Sequence, residues 1–398
     1  MITKRDIVTI ASVLGLNPHM VEKDWALGWV LAGIAAHTET RDAWVFKGGT
    51  CLKKCFFETY RFSEDLDFTL LDHAHLEQGF LEDTFGEICD WIYENSGLEL
   101  PADYREFDRY QSPRGTLSCE GKLGYRGHLA PRAGGLPRIK LDLTADERIV
   151  CPPIRVPVHH PYDDGDGITF DTLAYAYEEI FAEKVRALAE RTRPRDLYDV
   201  VSLFRNTESR PAAPVLREVV AEKCRFKNIP MPTLLRLVRS KSALSGSWKS
   251  MLAHQLPALP ESEIYWRVLP EFFDWLQTGV VQKEPPSYVA ADSGKPVREN
   301  TLRLPLYPKT KSYLEIIRFC AASRLCVLLT YGGKTRTIEP YSLRRTQDGN
   351  LLLHAWSVDA DAHRAYRLDR ITGASITSRS FVPRYAVELT SERTSPSR

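Results

Sequence analysis

Asp65 and Asp67 are the residues of this 398-residue chain best placed to do chemistry, one position apart in the stretch VFKGGTCLKKCFFETYRFSEDLDFTL at 45–70. Leu66, Phe68 and Leu70 alternate with Asp65, Asp67 and Thr69, which is the period of a β-strand, and residues i and i+2 of a strand point to one side. Two carboxylates on one side repel each other. A divalent cation relieves that repulsion, and oxygen ligands of this kind suit Mg²⁺ or Mn²⁺. Just upstream, Gly48 and Gly49 let the backbone approach a bulky anion. Thr50 is placed to cap a helix through Leu52, Lys53 and Phe56, with Lys53 in its first turn. An anion-binding turn followed by metal-binding carboxylates is the order that phosphate-transfer chemistry needs. Separately, a Gly-Gly is an ordinary turn and an Asp-x-Asp an ordinary solvated pair; their combination carries the catalytic reading.

Other elements must hold these groups in place. Leu173, Ala176, Tyr177, Ile180, Phe181, Val185 and Leu188 recur at helical spacing, which predicts an amphipathic helix over 173–191 with Lys184 and Arg191 on its other faces. Pro194 interrupts it. A second helix is expected from near Arg195, burying Leu197, Val200, Val201 and Phe204 and carrying Asp196 and Asp199. On charge alone these groups read as an interhelical salt-bridge network. In Arg138-Ile-Lys-Leu-Asp-Leu-Thr144, apolar Ile139, Leu141 and Leu143 alternate with Lys140, Asp142 and Thr144, predicting a half-exposed strand. Asp142 on its polar face reads equally as a plain surface residue.

The run from Lys47 to Phe68, a Gly-Gly turn ahead of an acidic pair on the next strand, resembles the signature of the AbiEii/AbiGii toxin family of nucleotidyltransferases. That family lies in the DNA polymerase β superfamily and includes MenT-type toxins. Glu22-Lys23-Asp24-Trp25 before the signature, and EKVRALAERTRPRDLYDVVSLF after it, are similar to two further elements of the family. The resemblance implies an α+β fold with a polymerase-β-type mixed sheet and helices over 1–206, followed by a helical scaffold over 207–282. It implies Mg²⁺ or Mn²⁺ at Asp65 and Asp67, with a third acid that binds metal or accepts a proton, for which Asp142 is the choice. It also implies that Lys184 meets nucleotide phosphates and that Asp199 orients Lys184 or a substrate group. Gly48, Gly49, Thr50, Lys53, Ser63 and Lys184 are the expected nucleotide-binding residues. An NTP donor, an RNA acceptor such as a tRNA end, and a cognate antitoxin protein belong to the same expectation, in a toxin–antitoxin or phage-defence system.

Composition bounds the alternatives. With 43% hydrophobic and 26% charged residues, the chain is long enough for two or three domains with real cores. No run approaches the ~18 apolar residues that span a bilayer, and MITKRDIVTI lacks the pattern of a secretory signal, so a cytoplasmic location without membrane contact is expected. The eight cysteines show no Cys-x-x-Cys spacing and read as reduced thiols, with Cys51 and Cys55 an i,i+4 packing pair. A net charge of +1 argues nothing about nucleic acid. Locally, Arg105, Arg109, Arg114, Lys122, Arg126, Arg132, Arg138 and Lys140 interleave with Tyr104, Tyr110 and Tyr125, a pattern shared by RNA-binding surfaces and solvated β-surfaces.

Five prolines and little periodicity mark 283–311 as a linker. Beyond it, at 312–398, a helix over 312–322 and short strands over 325–331, 335–339, 351–358, 365–368 and 371–378 predict a small β-barrel. Tyr331, Arg336, Pro340 and Tyr366-Arg367-Leu-Asp-Arg370-Ile371 resemble a WYL domain, an SH3- or Sm-like barrel, with Leu351-Leu352-Leu353 in place of the namesake tripeptide. The resemblance makes Arg336, Arg367 and Arg370 candidates for binding an effector or nucleic acid; Arg370 could instead pair with Asp369 or Glu339. A rival overall reading is an inactive nucleotidyltransferase scaffold with a sensor or nucleic-acid-binding barrel. The intact Asp65, Asp67 and Lys184 favour catalysis.

Overall fold

Two helices precede the first strand. The computed structural model describes residues 2–14, 16–57, 61–112, 114–129, 135–162, 170–207, 209–281, 286, 295–296 and 313–389. After α1 (Lys4–Leu14), α2 (Pro18–Ala36) starts at Asn17, whose side chain accepts a hydrogen bond from the His19 N–H, with Pro18 fitting the first turn. α2 is largely apolar and, apart from Lys23, buried from Val21 to Ile34, as a helix enclosed by sheet and neighbouring helix must be.

Seven strands form a mixed sheet: β1 (Trp44–Lys47), β2 (Asp65–Leu70), β3 (Arg105–Gln111), β4 (Leu117–Gly124), β5 (Arg138–Thr144), β6 (Ile154–Pro157) and β7 (Asp171–Ala174). Their order is β3-β4-β5-β2-β1-β7-β6. β2 runs antiparallel to β1 and parallel to β5, and β7 joins β1 in parallel. The alternation expected of β2 and β5 is realised: Leu66, Phe68, Ile139, Leu141 and Leu143 are fully buried on one face. Trp44, Phe46, Phe68 and Phe85 interlock there, the last from α4 (Gln78–Ser96). Each such ring contributes roughly 1.5–3 kcal/mol through burial. α4 packs on α2 so closely that a Cβ on Gly33 would lie 2.9 Å from Ile88.

Between β1 and β2 the chain turns immediately into α3 (Gly48–Cys51), continued by a π-helical turn at Leu52–Phe56. Thr50 therefore does not cap this helix. The helix starts two residues before it, with Lys47 at the N-cap position, and the Thr50 hydroxyl donates instead to the Asp65 carbonyl at 2.5 Å. Leu173, expected in a helix, lies in β7; α5 begins at Tyr177 and ends at Arg191. α6 (Pro194–Arg205) follows with Pro194 in its first turn, and Arg191 at the end of α5 grips buried Asp196 through two bonds of 2.8 and 2.9 Å. That pair ties the two helices together.

α7 (Ala213–Phe226), α8 (Leu234–Val238), α9 (Lys241–Leu252), α10 (Ser262–Trp266) and α11 (Leu269–Thr278) pack around α5 and α6 through Phe181, Phe204, Phe272 and Trp275. Most of 283–311 lies outside the described residues; β8 (Lys295–Pro296) pairs with β10. The last part holds α12 (Tyr313–Ser323) and strands β9 (Leu325–Tyr331), β10 (Lys334–Arg345), β11 (Leu351–Ser357), β12 (Ala362–Arg367) and β13 (Ile371–Ser380). They form an antiparallel sheet ordered β12-β11-β10-β9-β13, with β10 much longer than its expected 335–339. No ladder joins β12 to β13 among the described residues, so it is described as a sheet rather than a closed barrel. No helix among the described residues is long and apolar enough to cross a membrane.

Candidate active site

The polar face of the larger sheet collects the acids. Lys47 of β1 lies opposite Asp67 of β2, Asp67 opposite Asp142 of β5, and Asp142 opposite Glu120 of β4. Residues directly opposed across a ladder share a face, and Asp65 joins them two positions from Asp67. Asp65, Asp67 and Asp142 thus converge from segments far apart in sequence. Burial pushes the Asp67 carboxyl up to about 7, with Asp142 and Asp65 adding to the rise and Lys47 and Lys184 opposing it. Desolvation, then the neighbouring Asp65 and Glu120, raises Asp142 too, against the pull of Lys47. Such mutual repulsion is what a divalent cation relieves.

Gly48 makes the approach possible. Its φ is +81°, and a Cβ there would lie 2.8 Å from Cγ of Asp67 and closer still to Oδ2. A Gly48→Ala protein should therefore carry about 1–2 kcal/mol of backbone strain and a displaced Asp67. Its metal-supported activity should fall more than tenfold in a direct comparison with wild type; unchanged activity would show that the close approach is dispensable. Gly49 is equally crowded, since a Cβ on it would lie 2.8 Å from Nη2 of Arg61 and 3.1 Å from Oγ of Ser63. That places Ser63 at the turn.

The cations come from the other side. Nζ of Lys184 on α5 lies 2.8 Å from Oδ2 of Asp199 on α6, and the Arg61 guanidinium meets the same carboxylate through two bonds of 2.7 Å. Asp199 has no exposure to solvent. Burial alone would raise its carboxyl, but Arg61 and then Lys184 hold it well below the usual carboxylate range. Two cations share one buried carboxylate, which fixes both beside the acidic row. Gln255 further fixes Arg61 with a bond of 2.9 Å. Lys47 is set similarly: despite burial, Glu183 at 3.9 Å holds its ammonium well above the usual range.

Lys53 goes elsewhere. It is buried against Asp24 at 3.9 Å and lies over the Phe62 ring, while Lys54 at 3.2 Å and the Tyr162 hydroxyl at 2.8 Å engage the same Asp24. Asp24 and Phe62 thus hold it in a buried cluster. In the C-terminal sheet, Arg336 donates to the carbonyl of Tyr331 at 2.8 Å, and half-buried Arg367 pairs with exposed Asp369 at 2.7 Å. Arg370 is exposed and its charge helps to lower the Asp369 carboxyl after that of Arg367, while Glu339 accepts from the Tyr341 hydroxyl and pairs with Arg384. These three arginines do not reach the acidic row, being on a different sheet.

Sequence reasoning missed Arg61, Glu183 and the part played by Lys47. Nothing local marks Arg61, whose partner is 138 positions away. Lys47 opens the signature, and its place opposite Asp67 follows from a strand register that spacing does not reveal.

Among the described residues no three His, Cys, Asp or Glu side chains form a ready-made metal cage. Asp65, Asp67 and Asp142 offer an open set of oxygens, which suits Mg²⁺, an ion commonly held by one or two carboxylates and completed by substrate phosphates and water. The residues present fit that ion.

Carboxylates in register on a mixed sheet, beside a glycine turn and fixed cations, suit the binding of a divalent cation together with a phosphate group. The chain belongs to the AbiEii nucleotidyl transferase toxin family of type IV toxin–antitoxin systems, whose family model matches residues 29–278, and a WYL domain matches residues 312–376. Among solved structures, the nucleotidyltransferase toxin MenT4 of Mycobacterium tuberculosis H37Rv is similar at 20% identity, over 70% of this chain and 90% of that one, with a TM-score of 0.48. Proteasome accessory factor B/C of Arthrobacter aurescens is similar at 12% identity, over 97% of this chain and 74% of that one, with a TM-score of 0.18. A comparison with curated proteins finds no match. Neither structural likeness carries residue roles to this chain.

Proposed function

We propose that this protein is a Mg²⁺-dependent toxin that transfers a nucleotide from an NTP to an RNA, such as a tRNA end. The carrying observation is the in-register row of Asp67 and Asp142, with Asp65 beside it and Asp67 at about 7. Asp65 and Asp67 hold the ion, which when bound offsets negative charge on the triphosphate. Gly48, Gly49 and Ser63 bound the phosphate-binding turn, and Lys184, anchored by Asp199, draws the triphosphate towards the acidic row. Arg61 supports the same arrangement.

The acceptor hydroxyl oxygen attacks the α-phosphorus; that P–O bond forms as the bond to the bridging oxygen of the β-phosphate breaks, and pyrophosphate leaves. Asp142 takes the hydroxyl proton, its raised proton affinity making it a better base than an ordinary carboxylate. Lys184 and Arg61 are positive where charge grows on the leaving group. Residues 1–206 form the transferase unit, 207–282 its helical support, 283–311 a linker and 312–398 the WYL unit, acting in the cytoplasm against phage with a cognate antitoxin as control.

The test incubates the purified protein with each α-³²P-labelled NTP, Mg²⁺ and total bacterial RNA. Label entering a discrete RNA band, and lost with EDTA, is expected. No transfer from any of the four nucleotides would favour the inactive scaffold with a regulatory C-terminal unit.

A further inference from the structure

A cavity of about 360 Å³, lined by none of Asp65, Asp67 and Asp142, lies where α6, α10 and α11 meet the start of β9 and the segment after β13. Arg205, Arg210, Arg267 and Arg324 line it, with Glu271 the single carboxylate among the lining residues. Arg324 is 7% exposed and sits at the turn from α12 into β9 with φ +57°, a conformation that an arginine adopts only when its surroundings hold it there. Its carbonyl accepts from the Phe381 N–H at 3.0 Å and its guanidinium donates to the Ala321 carbonyl. Among the described residues no carboxylate pairs with it.

Arg205, at the last position of α6, faces it. One of its terminal nitrogens reaches the Ile264 carbonyl at 3.2 Å; the other, Nη1, is buried with no hydrogen-bond partner. A buried unsatisfied guanidinium nitrogen is costly, and an acceptor group placed in the cavity would remove that cost. Desolvation lowers the proton affinity of both arginines, and the charge of Arg205 adds to the effect on Arg324. Two desolvated cations that repel each other across a cavity form an anion site. Phe204, Val268, Phe381 and Tyr385 add apolar and aromatic wall to the same cavity. The size is that of a small-molecule pocket.

We propose that this cavity binds a small organic anion, its single phosphate or carboxylate group between Arg205 and Arg324 and its aromatic body against Phe204, Phe381 and Tyr385. Such a ligand bridges the AbiEii-matching region, which holds Arg205, to the WYL-matching region, which holds Arg324. Neither region makes the site alone. The assignment is independent of the reaction proposed above.

The experiment measures thermal midpoints and titration calorimetry of the full chain with phenyl phosphate, benzoate, inorganic phosphate and phenol. Phenyl phosphate or benzoate should give a saturable rise in midpoint of several degrees, with the stronger of the two naming the head group; inorganic phosphate and phenol should each do much less. Arg324→Met and Arg205→Met should each weaken binding at least tenfold. Ala386→Trp, which leaves both arginines in place and fills the cavity, should weaken it equally and guards against a variant that fails to fold. An absence of saturable binding by either aromatic anion, or binding unchanged in all three variants, would overturn the proposal.

Discussion

An Asp199→Ala protein should unfold about 3–5 kcal/mol more easily than wild type, the typical loss when one partner of a buried ion pair is removed and its cations stay behind. Asp199 is fully buried and is met by Lys184 at 2.8 Å and by Arg61 through two bonds of 2.7 Å. That loss is a large fraction of the ~5–15 kcal/mol that holds a typical domain together. Asp199→Asn keeps an acceptor oxygen and should lose less. The pH dependence has a definite sign: Asp199 is held below its unfolded value, so its contribution is present above that value and disappears as pH falls through the depressed one. Urea unfolding at pH 7 reads the effect directly. A variant with the wild-type midpoint and slope would mean that Asp199 does not anchor the two cations.

Replacing Asp67 should split stability from activity. Its folded carboxyl, at about 7, lies above the ordinary 3.8, so the metal-free fold keeps a proton that the unfolded chain has released. The resulting stability is present below pH 4 and is lost as pH rises through 7. Asp67→Asn removes that loss. In EDTA at pH 8 the variant should be more stable than wild type by about 2 kcal/mol, less than the full shift implies because the carboxylate keeps some access to water. Mg²⁺ should stabilise wild type and leave the variant unmoved, and transfer should fall about a thousandfold, as expected when several kcal/mol of metal-based stabilisation is removed. Equal stabilities in EDTA at pH 8 would show that Asp67 is not under the strain its neighbours suggest.

Much of this arrangement was legible because it is local. β2 and β5 alternate cleanly, so their two faces could be assigned from spacing, and Lys184 and Asp199 sit on helices whose apolar sides are plain. What escaped was non-local or conformational. Leu173 continues the apolar period of α5, yet the chain there bonds laterally, with the Tyr175 N–H on the Phe46 carbonyl, and the helix starts only afterwards. Thr50 looked like a cap, but the positive φ of Gly48 lets the helix begin directly after β1. Lys53 has the charge that a phosphate site needs, and its buried partner Asp24, 29 positions away, could not be read from spacing. Arg61 could not be found from its neighbours, because the residue that gives it meaning is on a helix folded in from the second half of the site.

The central claim is that the acidic row on β2 and β5 performs nucleotidyl transfer. Its most direct test is single-turnover transfer of label from an α-³²P NTP to RNA, in Mg²⁺, by wild type and Asp65→Ala side by side, with thermal midpoints recorded for both. A loss of about a thousandfold or more in the variant, with a cooperative thermal transition in EDTA that shows it folded, is the predicted result. Transfer at the wild-type rate by a folded Asp65→Ala protein would contradict it.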